Sequence, residues 1–215
     1  MTPAPSVCIR SGRGRSLEVV LVIRRDLVDE IVAHAREEHP HEACGLIAGP
    51  EGAERPERLI RMVNAAKPSG DTAGAARERA HRGVLLGEHG EYQGEARSST
   101  TYYTFDPAQY LRVQREMDAE DEWAVVNYHS HTRSEAYPSV VDIELASGPA
   151  SDTRIHYVIV STREDAEPRV AGHELRSYRI VDGVVVEEDI TVVESYAVER
   201  YMFAHTGADD VPDNS

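Results

Sequence analysis

The stretch from Trp123 to Ala146 limits what this chain can fold into more than any other part of it. It opens with the apolar run Trp-Ala-Val-Val-Asn-Tyr (123–128), which reads as a short strand. His129 and His131 follow at its end, two residues apart. Side chains of extended backbone alternate faces, so both imidazoles point the same way and can reach one ion, with Ser130 facing away. A loop containing Pro138 then turns the chain. Ser139 stands where a helix can begin, ahead of Val140, Val141, Ile143 and Leu145. Asp142 falls one turn into that helix, where its carboxylate can supply a third ligand. Three protein ligands leave the fourth position of a zinc site open for water, whose pKa drops to about 7 in such sites.

Each piece also has an ordinary reading. An isolated H-x-H pair is more often structural or solvated than a ligand pair. Ser139-Val-Val-Asp142 ahead of apolar residues is the pattern of a helix capping box, and capping is compatible with ligation. Cys44 can be a nucleophile by type, but Ala-Cys-Gly-Leu-Ile-Ala (43–48) looks like a buried strand, which favours packing. The histidines at 34, 39, 41, 81, 89, 156, 173 and 205 show no second ligand spacing. Glu120, Asp121 and Glu122 read as a solvated turn.

The remaining elements follow from periodicity and punctuation. Leu17 to Ile23 reads as a strand. Asp26 is placed to cap a helix running to about His39, with Leu27, Val28, Ile31, Val32 and Ala35 on one face, and Pro40 ends it. Strands are expected at Cys44–Ala48, Arg58–Ala65, Thr101–Phe105 and Ile155–Ser161. Asp106-Pro107 is a helix start, Ncap then N1, for a helix through about Ala119. His173–Val181 and Val184–Ile190 form a hairpin around Asp182-Gly183. Few strands alternate strictly with helices, which predicts an α+β fold with a mixed sheet. Residues 1–16 read as a loose tail and 198–215 as a second tail. Residues 67–99, rich in Gly, Ala, Arg, Glu and Ser, read as one long mobile insertion, either a carrier-docking lid or a disordered spacer.

The formal net charge of −15 argues against nucleic acid or an anionic membrane surface as the main partner. Two cysteines, Cys8 and Cys44, suggest no disulfide framework and point to a reducing cytoplasm. No apolar run approaches a membrane span or a signal-peptide core.

Taken jointly, H-x-H, seven residues, Ser, two residues and Asp, after the upstream segment His41-Glu42-Ala-Cys-Gly-Leu-Ile-Ala-Gly49, resembles the JAMM (MPN+, Mov34/MPN/PAD-1) zinc metallopeptidases. Further resembling segments are Val22–Val28, Arg55–Arg58, Tyr128–Ala146, His156–Arg163 and His173–Gly183, covering most of residues 17 to 197. The resemblance implies a mixed sheet flanked by helices, with cytidine-deaminase-like layering. It implies Zn²⁺ held by His129, His131 and Asp142, Glu42 as general acid–base, and Ser139 as the hydroxyl that hydrogen-bonds the developing oxyanion. Within that family the chain is similar to a bacterial branch acting on a ubiquitin-like sulfur carrier. There, cysteine sits in amide linkage after the carrier's C-terminal Gly-Gly, and hydrolysis frees it for cysteine biosynthesis. The expected partner is therefore a carrier with a Gly-Gly-X tail. Oligomeric state is open, a homodimer included. Two other readings stay open: trimming of C-terminally extended carrier precursors, and a metal-free MPN scaffold that only binds partners.

Overall fold

The computed structural model describes residues 20–67, 99–148 and 151–196. The expected tails at 1–16 and 198–215, and the expected insertion at 67–99 except its two end residues, lie outside these. Among the described residues there are seven strands and three helices, in the order β1 (Val20–Arg24), α1 (Arg25–Glu38), β2 (Cys44–Pro50), β3 (Arg58–Met62), α2 (Pro107–Ala119), β4 (Glu122–His131), α3 (Val140–Ala146), β5 (His156–Ser161), β6 (Leu175–Val181) and β7 (Val184–Val193).

The strands form a single mixed sheet ordered β1-β7-β6-β5-β4-β2-β3. Pairs β1/β7 and β4/β5 are parallel, and the other neighbours are antiparallel. Alternation along each strand sends side chains to the two faces of the sheet. On one face α1 packs Leu27, Val28, Ile31, Val32 and Ala35 onto Ile47, Val125, Tyr128, Val158 and Val160. On the other face α2 lays Val113 and Met117 against Cys44, Leu46 and Ala48, while Ala146 of α3 joins Tyr157, Ile159 and Tyr178. The mixed α+β sheet flanked by helices is the architecture expected from the sequence. No helix among the described residues is long and apolar enough to cross a membrane.

Local chemistry explains most boundaries. Asp106 caps α2, its Oδ1 accepting the Gln109 N–H at 2.9 Å, with Pro107 at the first helical position. Asp182 (φ 50°) and Gly183 (φ 78°) make the hairpin turn between β6 and β7, where both central residues need positive φ. Gly45 is required by close packing: a Cβ there would lie 2.4 Å from the Tyr128 hydroxyl.

Three expectations need correction. Asp26 does not cap α1. Arg24 occupies the N-cap without a side-chain cap bond, and Asp26, in the first turn, accepts two hydrogen bonds from the Arg24 guanidinium. Thr101–Phe105 is not a strand. Only Phe105 bridges, to Asn64, and the Asn64 side chain takes up the Tyr102 and Thr104 backbone groups that a ladder would otherwise occupy. For the same reason β3 stops at Met62 rather than Ala65. The expected start of the first strand at Leu17 lies outside the described residues.

Candidate active site

β4 and α3 bring three ligand-type side chains to one point. His129 and His131 face the same side of β4, with their Nε2 atoms 3.1 Å apart. Asp142 Oδ2 stands 3.6 Å from each. This is the one group of at least three potential metal ligands among the described residues. Ser130 points away, as alternation requires, and its Oγ accepts the Ala43 N–H at 2.8 Å.

Short-range hydrogen bonds aim these groups. His131 Nδ1 lies 2.8 Å from the Glu135 carbonyl, which can only accept, so Nδ1 carries the proton and Nε2 presents its lone pair. The Ser139–Asp142 capping box is fully formed. The Ser139 N–H donates to Asp142 Oδ2 at 2.7 Å, and the Asp142 N–H donates to Ser139 Oγ at 3.3 Å. Asp142 thus caps the helix and faces the histidines with the same oxygen. The ring of His129 stacks on Tyr103, with centroids 4.5 Å apart and planes at 25°, and its buried Nδ1 has no hydrogen-bond partner.

A small tetrahedral cation with bonds of about 2.0–2.1 Å needs donor atoms about 3.3 Å from one another. The observed separations of 3.1, 3.6 and 3.6 Å fit that requirement. Two imidazoles converging on a carboxylate, which among the described residues pairs with no arginine or lysine, form a donor set that a metal satisfies.

Glu42 shares a small open cleft with His131, Ser139 and Asp142, walled on one side by Thr100, Thr101 and Tyr102. Its side chain is buried. Burial pushes its carboxyl up to about 8; His131 opposes this and Asp142 adds to it. Burial acts on Asp142 in the same sense, but the charge and hydrogen bonds of the two histidines and Ser139 hold its carboxyl well below the usual range. Burial lowers His129, whereas hydrogen bonding to Asp142 and the Glu42 charge leave His131 raised against the same burial. Opposed carboxyl shifts within one cleft mark a candidate acid–base site. Cys44 is fully buried opposite His129 on β2, and burial raises its thiol, which suits packing rather than nucleophilic attack.

Two residues of this neighbourhood escape a reading of the sequence. Tyr103 reads as a strand residue, yet it is the aromatic floor under His129. Asn64 is buried and makes four side-chain hydrogen bonds. Its only signal is a polar residue inside the apolar run Met62-Val-Asn-Ala-Ala66.

Two further buried histidines are built differently. His156 sits at the start of β5, away from the cleft. Its Nδ1 lies 2.6 Å from Glu188 Oε1, and its Nε2 accepts from Arg179 at 2.8 Å. Ser177 Oγ donates to the same Glu188 oxygen at 2.6 Å. His34 on α1 has no carboxylate partner. Its Nδ1 is hydrogen-bonded to the Tyr128 hydroxyl at 2.9 Å, and burial lowers its pKa to about 4.

Comparison with known proteins agrees with this geometry. The family profile described as prokaryotic homologs of the JAB domain matches residues 24–181. The CysO-cysteine peptidase of Mycobacterium tuberculosis is 47% identical over 177 residues, covering 82% of this chain and 94% of that protein. The desampylase of Haloferax volcanii is 28% identical over 158 residues, covering 72% of this chain and 86% of its own. Among solved structures, the solution structure of protein DSY2949 from Desulfitobacterium hafniense superposes with a TM-score of 0.54 at 23% identity. That alignment covers 82% of this chain and 94% of that one, and speaks to fold alone.

Proposed function

The chain belongs to the prokaryotic JAB-domain (JAMM) family, and from that premise we propose that it is a zinc peptidase releasing cysteine from a ubiquitin-like sulfur carrier. The bond cut is the amide after the carrier's C-terminal Gly-Gly. The observation that carries this reading is the converging triangle of His129, His131 and Asp142 beside the buried Glu42. The 47% identity to a CysO-cysteine peptidase over most of both chains supports the substrate class. The N₂O donor set and near-tetrahedral spacing favour zinc over harder ions. Release of free cysteine suits a reducing cytoplasm.

His129, His131 and Asp142 hold the metal, and their orientation is fixed by Tyr103, the Glu135 carbonyl and the capping box. When bound, zinc supplies Lewis acidity and lowers the pKa of a water to about 7. Glu42 accepts a proton as the carbonyl carbon is attacked and returns it to the leaving amine nitrogen. Burial favours both jobs, because a carboxyl near the working pH gives up its proton as readily as it takes one. Ser139 Oγ already accepts the Asp142 N–H, so its own hydrogen is free to point at the carbonyl oxygen as negative charge develops there. No covalent intermediate is required.

Intact-mass spectrometry tests the reading. Zinc-loaded enzyme is mixed with a carrier ending Gly-Gly-Cys, beside a Glu42→Ala control and a chelator control. Loss of one cysteine mass with active enzyme alone is the expected result. An unchanged carrier mass with zinc bound overturns the cysteine assignment and favours trimming of other C-terminal extensions, which would use the same residues. An unchanged mass without zinc overturns the enzyme reading in favour of a binding scaffold.

A further inference from the structure

Glu42 carries the proton in the reading above, yet among the described residues no hydrogen bond fixes its carboxylate. What the structure does fix is the backbone from which it projects. Both backbone polar groups of residue 42 are taken by neighbours outside the sheet. The Glu42 N–H donates to the Ser99 carbonyl at 2.7 Å, and the Glu42 carbonyl accepts from Asn64 Nδ2 at 3.0 Å.

Asn64 does more than hold that carbonyl. The same Nδ2 donates to the Tyr102 carbonyl at 3.1 Å, and Oδ1 accepts the N–H groups of Ala66 at 3.0 Å and Thr104 at 3.3 Å. Two donors meet two carbonyls and the acceptor meets two amides, so the amide orientation is fixed by its partners and its capacity is filled. The side chain is 2% exposed, which makes every lost bond costly. Tyr102 and Thr104 flank Tyr103, whose ring lies on His129. One buried amide therefore ties the backbone of Glu42 to the segment that floors a ligand histidine.

We infer that Asn64 is a positioning residue for the acid–base step: it sets the aim of the Glu42 carboxylate relative to the His129/His131/Asp142 triangle. The inference rests on the reading of Glu42 as the proton carrier. It does not require Asn64 to touch substrate.

A double-mutant cycle tests it on the zinc-loaded full chain with a carrier ending Gly-Gly-Cys. Asn64→Asp keeps the shape but turns two donors toward carbonyls into acceptors; Asn64→Ser is the milder second variant, used if the first fails to melt cooperatively. The expected result is a kcat about 10- to 100-fold lower, the scale of a small misplacement at a reacting centre. KM and zinc content should stay at wild-type values, and amide exchange at Ala43, whose N–H shares the peptide plane of the freed Glu42 carbonyl, should speed up. In a Glu42→Gln background the same substitution should change the residual rate less than about two-fold, because the group it aims is already gone. Equal losses in both backgrounds would make Asn64 a general support of the fold and overturn the inference. So would full activity of an Asn64 variant that still melts as wild type. If Glu42→Gln alone retains wild-type activity, the assignment of Glu42 falls, and this inference falls with it.

Discussion

Two histidine–carboxylate clusters occupy opposite ends of the central strand pair β4–β5, and they are completed in different ways. At the start of β5, His156 and Glu188 are closed by Arg179, which donates to His156 at 2.8 Å and stands 3.4 Å from Glu188. The positive charge that a buried carboxylate needs is supplied by the chain. At the end of β4, His129, His131 and Asp142 converge, and among the described residues no arginine or lysine forms an ion pair with that carboxylate. The same residue types thus give an internally paired network in one place and a candidate cation site in the other. What separates them is whether the protein brings its own cation, and whether a cleft reaches the spot. A histidine beside a carboxylate is uninformative until those two questions are answered.

That contrast can be broken from either side. The largest effect should come from His129→Ala or Asp142→Ala, each leaving two ligands. Zinc content should fall from one per chain to near zero by elemental analysis, with hydrolysis lost. Glu42→Ala should instead retain zinc while turnover drops roughly 10²–10⁴-fold, the usual worth of a general acid–base. Full activity in that variant would refute the mechanism.

The internally paired cluster should answer in stability, not in metal. Arg179→Met strands the Glu188 carboxylate and should cost about 3–5 kcal/mol in urea unfolding, while the folded fraction still binds zinc and turns over. Loss of zinc there would mean that the two ends are coupled and the comparison is false. Ser139→Ala should lower turnover on the order of 10²–10³-fold with zinc retained.

The smallest effect belongs to His34, which has no carboxylate in hydrogen-bond contact. Its folded pKa of about 4 lies below the ordinary 6.5, so the unfolded chain takes up a proton first as pH falls. Its contribution is complete above pH 6.5 and is lost as pH falls through 6.5 toward 4, on the order of 1–3 kcal/mol. His34→Leu should flatten that part of the stability–pH curve; an unchanged slope would place the acid sensitivity elsewhere.

How much of this was legible in the sequence follows from how far apart the partners lie. The capping box spans three residues and the His131–Glu135 contact spans four. The strand, loop and helix carrying the three ligand-type residues can therefore be read from one stretch. The Asp182-Gly183 hairpin and the Asp106-Pro107 helix start are equally local. The frame around Glu42 is different. Asn64 reaches Glu42 across 22 residues and Tyr102 across 38, and no periodicity reports such contacts. Thr101–Phe105 misleads for the same reason, because its β-branched and aromatic residues satisfy strand propensity while the Asn64 side chain takes up two of its backbone groups and only an isolated bridge forms. Asp26 has the right residue type for a cap, but Arg24 beside it offers a better partner than the helix amides.

The pairing at the sheet's edge has a consequence for how the molecule comes into being. β1 is bonded only to β7, so the first described strand waits for the last one before any of its ladder can form. On a ribosome, α1 and the strands that frame the cleft emerge with one border of the sheet still missing. The finished sheet thus depends on the arrival of residues 184–193, and in a polypeptide interrupted before them the strand carrying Leu21 and Ile23 has no ladder partner.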